Sequence, residues 1–140
     1  LVLSTGNKTE LALGYCTLYG DMSGGLSVIG DLSKTDVYGL AKWKNTVSTD
    51  IIPSSCITKT PSAELAENQV DPFDYDVISP IVDKVIYNES IDNNTPETDE
   101  IIRRINQNEY KRRQTPPILR ITRKAFGMGR RFPIVNHFHE

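Results

Sequence analysis

Leu3-Ser4-Thr5-Gly6-Asn7-Lys8-Thr9-Glu10-Leu11-Ala12-Leu13-Gly14-Tyr15 is the stretch on which the reading of this sequence turns. A short apolar run gives way to seven polar or small residues, Ser4 to Glu10, and apolar residues resume at Leu11. A strand end, a polar loop and a helix start therefore follow in quick succession. In α/β proteins that junction is where backbone amides and a helix N-terminus hold phosphates and metal ions. Leu1 to Leu3 is β-like, with its partner strands expected upstream of the chain. A helix is expected from Lys8 towards Leu18, although Leu11, Leu13, Tyr15 and Leu18 share a helical face only imperfectly. Gly20 to Gly25 is expected to be loop, and its Gly24-Gly25 pair permits either close approach to a ligand or a plain turn.

Further on, Ser33-Lys34-Thr35-Asp36 has the S/T-x-x-D/E form in which side chains satisfy the first unpaired amides of a helix. Val37, Leu40, Ala41 and Trp43 then supply its apolar face. Asp50 to Gln69 holds two prolines and many hydroxyl residues, which predicts a long irregular stretch that either serves a site or moves. Val77, Ile78, Ile81, Val82, Val85 and Ile86 mark another helix, with Pro80 tolerable only near its first turn or at a kink. Thr95-Pro96 offers a cap and a first-turn proline, and Glu97, Asp99 and Glu100 suit the positive end of the helix that follows. That helix has Ile101, Ile102 and Ile105 as its core face and is expected to run into Asn108–Arg113 before Pro116-Pro117 stops it. From Ile118 the pattern is irregular and basic.

The 140 residues, 38% hydrophobic and 24% charged, suffice for one domain with a modest core. No apolar stretch is long enough to span a membrane or serve as a secretory signal, so a cytoplasmic location without a membrane partner is the expectation. Cys16 and Cys56 have no CxxC spacing and no neighbouring His, which supports neither a zinc site nor a redox pair. Free thiols are expected. Residues 1–110 carry 8 Lys and Arg against 17 Asp and Glu, whereas residues 111–140 carry 8 against 1. The net charge of −2 thus hides a basic C-terminal segment that should attract anions or dock on acidic surface.

The opening run, with Leu18-Tyr19-Gly20-Asp21-Met22 behind it, resembles the NAD synthetase family, and its bacterial glutamine-dependent branch in particular. The resemblance continues through Pro61-Ser62-Ala63-Glu64-Leu65, Asn68-Gln69-x-Asp71, Tyr75-Asp76-Val77, Asn108-Glu109-Tyr110-Lys111-Arg112-Arg113-Gln114 and Lys124-Ala125-Phe126-Gly127-x-Gly129-Arg130-Arg131-x-Pro133-Ile134. It implies an α/β, Rossmann-like fold of the adenine nucleotide alpha hydrolase, or N-type ATP-pyrophosphatase, kind. It also implies a ligase: ATP adenylates the carboxylate of deamido-NAD, pyrophosphate leaves, and ammonia released from glutamine gives the amide. ATP, deamido-NAD and Mg²⁺ are the implied ligands, and a homo-oligomer of two or more copies is the implied assembly. The family's Ser-Gly-Gly-x-Asp-Ser pyrophosphate loop and the amidase-like domain are not found, and Gly24-Gly25-Leu26 cannot substitute for the loop. With no initiating Met and an abrupt apolar start, residues 1–140 read as the C-terminal part of a synthetase domain, inactive alone.

By this resemblance Glu10 matches a magnesium and substrate position, and Thr5, Lys34 and Ser62 match ATP-contacting positions, with Thr5, Glu10 and Lys34 expected to converge on one triphosphate. Tyr15, Cys16, Thr17 and Leu18 fall where relatives contact deamido-NAD, and Tyr110-Lys111 where the family closes over it. An aromatic there suits a planar ring, and Lys111 suits a carboxylate or phosphate. Each residue also has a plainer reading. Glu10 would serve as a first-turn helix carboxylate, Lys34 as a solvated residue of a capping turn, and Ser62 as a helix cap. Two other function classes fit parts of the chain. One is another adenylating amidotransferase. The other is a basic module for nucleic acid or a partner, with Tyr110, Phe126 and Phe132 as stacking groups. His137 and His139 read as a frayed tail.

Overall fold

The computed structural model describes residues 1–49, 51–91 and 95–134, so the His137 and His139 pair lies outside the described residues. Its elements run β1 (Leu3–Ser4), α1 (Lys8–Leu13), β2 (Leu26–Ser27), α2 (Lys34–Val47), α3 (Ser54–Thr58), α4 (Tyr75–Tyr87), α5 (Pro96–Gln107) and α6 (Glu109–Arg112). β1 pairs with β2 in parallel, Leu3 opposite Leu26 and Ser4 opposite Ser27, so one partner of the opening strand lies downstream in this chain, where only upstream partners were expected. A parallel pair needs a crossover, which α1 supplies. On the other side of β2, Ser27 forms a bridge with Ile118. Gly24 and Gly25 serve this sheet. A Cβ on Gly24 would stand 2.9 Å from the Ser4 amide nitrogen, and the Gly25 amide donates to the Val2 carbonyl at 2.9 Å.

α1 begins with a capping box, in which the Asn7 side chain accepts from the Glu10 amide and the Glu10 carboxylate accepts from the Asn7 amide. It ends at Leu13 and not near Leu18, because Gly14 takes the left-handed conformation at φ +70°. Ser33 and Asp36 form the expected box at the start of α2. No residue of α2 is fully buried, however, and Leu40 and Trp43 lie about half exposed. α3 falls inside the stretch expected to be irregular. Pro80 sits at the sixth position of α4, where it withdraws the amide that would bond the Asp76 carbonyl. The long C-terminal helix is instead two, α5 and α6, parted at Asn108.

The core gathers Leu11, Ala12 and Leu13 of α1, Ile78, Val82 and Ile86 of α4, Ile101 and Ile105 of α5, and Phe126. α1 is therefore wrapped on three sides by distant elements, a placement its six residues could not hold alone. Lys8, the first residue of α1, is buried, 2.8 Å from Asp83 and 3.9 Å from Asp31, with its ammonium 5.0 Å from the Tyr87 ring centre. Asp31 accepts from the Ile121 and Thr122 amides and the Thr122 hydroxyl, at 2.8, 2.5 and 2.8 Å, and so ties the basic C-terminal segment to the acidic body. Among the described residues no helix is long and apolar enough to cross a membrane, and Cys16 and Cys56 are free thiols.

Candidate active site

Where the chain leaves α1 it forms a strap, residues 14–17, along the floor of a cleft of about 490 Å³. Glu10, Gly14, Tyr15, Cys16 and Thr17 come from this end, Lys34 from the first turn of α2, and Lys111 from α6. The far wall is the loop after α3, which contributes Ser62, Ala63, Leu65, Gln69 and Asp71. The loop is cross-braced. The Asp71 amide donates to the Pro61 carbonyl at 2.9 Å, and the Gln69 side-chain oxygen accepts from the Leu65 and Ala66 amides at 2.9 and 3.1 Å. Its ends meet and its own side chains fill it, the form of an Ω-loop.

At the α1 end, Lys34 Nζ donates to Glu10 Oε1 at 2.9 Å, while Glu10 Oε2 is held by the Asn7 amide at 3.1 Å. Both plain readings of these residues, capping carboxylate and capping-turn lysine, thus hold locally, yet the two charges meet in the cleft. Rings of Tyr75 and Tyr38 lie 5.3 and 5.8 Å from the Lys34 ammonium. A magnesium ion accompanying a triphosphate fits the Glu10 carboxylate as one hard oxygen ligand. No group of three or more His, Cys, Asp or Glu gathers to hold a cation among the described residues. Phosphate oxygens and water would have to fill the remaining positions, as Mg²⁺ favours.

At the other end, Tyr15 packs edge-on against Phe73 with ring centres 5.4 Å apart, and Phe73 against Tyr75 at 6.2 Å. Tyr75 donates its hydroxyl to Asp71 at 2.8 Å. Burial, seconded by the Asp71 carboxylate, raises the Tyr15 and Tyr75 phenols, so both stay protonated at neutral pH. Burial also pushes the Cys16 thiol up to about 11 despite nearby Lys111. Cys16 is accordingly a wall residue and not a thiolate nucleophile.

Three expected site residues do not line the cleft. Thr5 is exposed at the end of β1, where alternation sends its side chain opposite to Ser4, whose hydroxyl is buried against the Asp21 carbonyl at 2.9 Å. The convergence of Thr5 with Glu10 and Lys34 in one cleft is therefore not seen. Leu18 is carried off by a turn in which the Gly20 and Met22 amides donate to the Thr17 carbonyl. Tyr110 projects elsewhere because successive helical residues stand about 100° apart and Lys111 takes the cleft side. Ser62 does line the cleft, but its hydroxyl braces the loop, donating to the Gln69 carbonyl at 2.5 Å and accepting from the Glu64 amide at 3.0 Å. No helix follows it, so it is not a helix cap. Lys111 spends two of its three donors on the Gly14 and Cys16 carbonyls, at 2.6 and 3.0 Å.

The reading of candidate residues passed over Asp21, Leu65, Gln69 and Asp71, all of which line the cleft. Asp21 Oδ1 accepts from the Thr17 amide at 2.7 Å and so fixes the strap. Gln69 and Asp71 belong to the Asn68-Gln69-x-Asp71 motif, but only the closed loop turns them towards Tyr15. The basic segment, conversely, is no stripe of free cations. Arg113, Arg120 and Arg131 donate to backbone carbonyls, Phe126 is buried beneath Arg112, and Phe132 lies under Arg130 at 4.3 Å. Two of the three rings named for stacking on bases are thus already in use.

The model of the family described as NAD synthase matches residues 1–115. The chain is 46% identical to the glutamine-dependent NAD(+) synthetase of Synechocystis sp., covering 99% of this chain and 26% of that protein. Against the Acinetobacter baylyi protein of the same name the identity is 46%, covering 97% and 27%. Among solved structures, glutamine-dependent NAD+ synthetase from Acinetobacter baumannii in complex with ADP is 42% identical over 96% of this chain and 25% of that one, with a TM-score of 0.41. The chain spans about a quarter of the length of these relatives. The family match runs unbroken through every element that builds the cleft, from Glu10 to Lys111, and the chain belongs to the NAD synthase family.

Proposed function

We propose that the protein carrying this chain is a ligase that converts deamido-NAD to NAD, using ATP and ammonia released from glutamine. The observation that carries the reading is the two-ended cleft. One end holds a cation and a carboxylate, Lys34 and Glu10, while the other holds aromatic and polar strap residues beside Lys111. A phosphate-bearing ligand and a planar ring linked to a second charge would lie along it together. Membership of the family, and the names of the relatives, support this choice of substrates.

In this reading the nicotinate carboxylate oxygen attacks the α-phosphorus of ATP and pyrophosphate departs with the bonding electron pair. Ammonia then adds to the acyl carbon, loses a proton, and expels AMP. Lys34 would leave Glu10 for the phosphates and stabilise charge as it builds on the departing pyrophosphate. Mg²⁺, held on one side by Glu10, would supply further charge neutralisation. Tyr15, Cys16 and Thr17 would hold the dinucleotide, with the third donor of Lys111 free for one of its anionic groups. Ser62 acts by shaping the Ω-loop against the nucleotide. Thr5 and Tyr110 face away and would contribute through parts of the protein beyond this chain. In this reading residues 1–140 are the C-terminal part of a Rossmann-like ATP-pyrophosphatase domain, and the protein works as a homo-oligomer.

The test uses the full-length protein and deamido-NAD labelled with ¹⁸O in its carboxylate. Formation of NAD with one ¹⁸O in the released AMP is expected. Release of ADP and inorganic phosphate, or no amidation at all, overturns the proposal.

A further inference from the structure

α1 is too short to satisfy its own C-terminal end. The Glu10 carbonyl accepts from the Tyr15 amide at 2.9 Å, but the Leu11, Ala12, Leu13 and Gly14 carbonyls need partners from elsewhere. All four find them on one turn about a hundred residues away. Arg112 donates to the Leu11 and Ala12 carbonyls at 3.2 and 2.9 Å, Asn108 Nδ2 to the Leu13 carbonyl at 3.0 Å, and Lys111 to the Gly14 carbonyl at 2.6 Å. Lys111 continues to the Cys16 carbonyl. The fit is close at one point. A Cβ on Gly14 would lie 2.0 Å from Asn108 Cγ, so the amide of Asn108 rests on the bare Cα of the residue that opens the strap. Asn108 is itself held, since Nδ2 also donates to the Arg104 carbonyl at 2.8 Å and its backbone parts α5 from α6.

We propose that Asn108 is a positioning residue for the strap, and that through Leu13 and Gly14 it sets where Tyr15, Cys16 and Thr17 stand in the cleft. This rests on the proposed function for the identity of the ligand those residues meet. The break between α5 and α6 follows from the same role. An unbroken helix would carry Asn108 past α1, whereas the break turns Asn108, Lys111 and Arg112 onto consecutive carbonyls. Among the described residues, the hydrogen bonds of the Asn108 side chain go to Leu13 and Arg104, not to Lys34 or Glu10 at the opposite end of the cleft. A change at Asn108 therefore acts on the dinucleotide end and spares the nucleotide end.

The experiment compares full-length wild-type protein with Asn108→Ala, Asn108→Asp and a core control, Ile86→Val, on two readouts. The first is the alkylation rate of Cys16 relative to Cys56, followed by peptide mass mapping. Cys16 sits in the strap and Cys56 is exposed outside it. The second is equilibrium binding of deamido-NAD and, separately, of ATP. Both Asn108 variants are expected to alkylate faster at Cys16, by about fivefold, with Cys56 unchanged. Deamido-NAD is expected to bind about tenfold more weakly while ATP binding stays within twofold. Asn108→Asp should be the more affected, because its carboxylate faces the Leu13 carbonyl. Ile86→Val should lower the melting temperature and move none of these values. Unchanged Cys16 reactivity, or equal losses of both ligands, overturns the proposal. If wild-type protein binds neither ligand, the functional reading fails by itself, and Cys16 reactivity still decides whether Asn108 sets the strap.

Discussion

Single side chains in the cleft each carry a choice that the sequence leaves open and the packing makes. Glu10 was readable as a metal ligand or as a capping carboxylate, and it has one oxygen for each kind of work: Oε2 caps α1 and Oε1 meets Lys34. Lys34→Met should therefore leave α1 capped and remove the cation that a phosphate would meet. One charge-assisted hydrogen bond contributes about 1.5–3 kcal/mol, so ATP affinity of the full-length protein, measured by calorimetry, should fall by roughly tenfold or more. Unaltered ATP binding would detach Lys34 from the nucleotide end. At Cys16, burial favours the neutral thiol and pushes its pKa up to about 11, so the reactive thiolate appears only in alkaline solution. Its alkylation rate should keep climbing through pH 10. A plateau reached near neutral pH would show an accessible, activated thiol, contrary to the geometry.

At the level of elements, α1 shows how a six-residue helix is made stable by others. Its N-terminus is closed by local chemistry, Asn7 with Glu10. Its C-terminus is closed by Gly14 locally and by the turn at 108–112 at a distance. Gly14→Ala meets two obstacles at once, the left-handed φ and the Asn108 amide at 2.0–2.6 Å from the new methyl group. Strain of this kind costs roughly 2–3 kcal/mol, which denaturant titration should resolve as a lowered midpoint with unchanged slope. A Gly14→Ala variant as stable as the parent would mean that the strap relaxes freely. Arg112 belongs to the same closure. It is buried with Glu109, burial pushes its guanidinium down to about 10, and Glu109 opposes that shift. Arg112 stays charged at neutral pH and serves the Leu11 and Ala12 carbonyls.

On the scale of the whole molecule, the uneven charge of the chain resolves into specific contacts. The basic C-terminal segment docks on the acidic body chiefly through Asp31, whose carboxylate accepts three hydrogen bonds from Ile121 and Thr122 and lies 3.9 Å from buried Lys8. Asp31→Asn removes the charge and turns one acceptor into a donor, so the segment from Ile118 should detach more often. Trypsin cleavage after Arg120 and Arg123 is expected to quicken, roughly tenfold for ~1.4 kcal/mol of lost local stability. Equal cleavage rates would place the anchor elsewhere. Leu1, Val2 and Leu3, with Leu40, Trp43 and Val47 on α2, remain exposed apolar surface.

The sequence by itself determined what depends on neighbours in the chain: the strand-loop-helix junction, the capping box at Ser33, the Thr95-Pro96 start of α5, and the apolar face of α4. These are set by hydrogen bonds and periodicities spanning three or four residues, and residue types report them directly. The resemblance to the family was carried by short motifs in order. Only the tertiary structure decided the rest. It paired β1 with a downstream strand, stopped α1 at Gly14, broke the last helix at Asn108, closed the 61–71 loop, and chose Lys111 over Tyr110 for the cleft. Each of these outcomes turns on a contact between residues far apart in sequence, and for such a contact the cost of closing the loop is met by burial that no local pattern records.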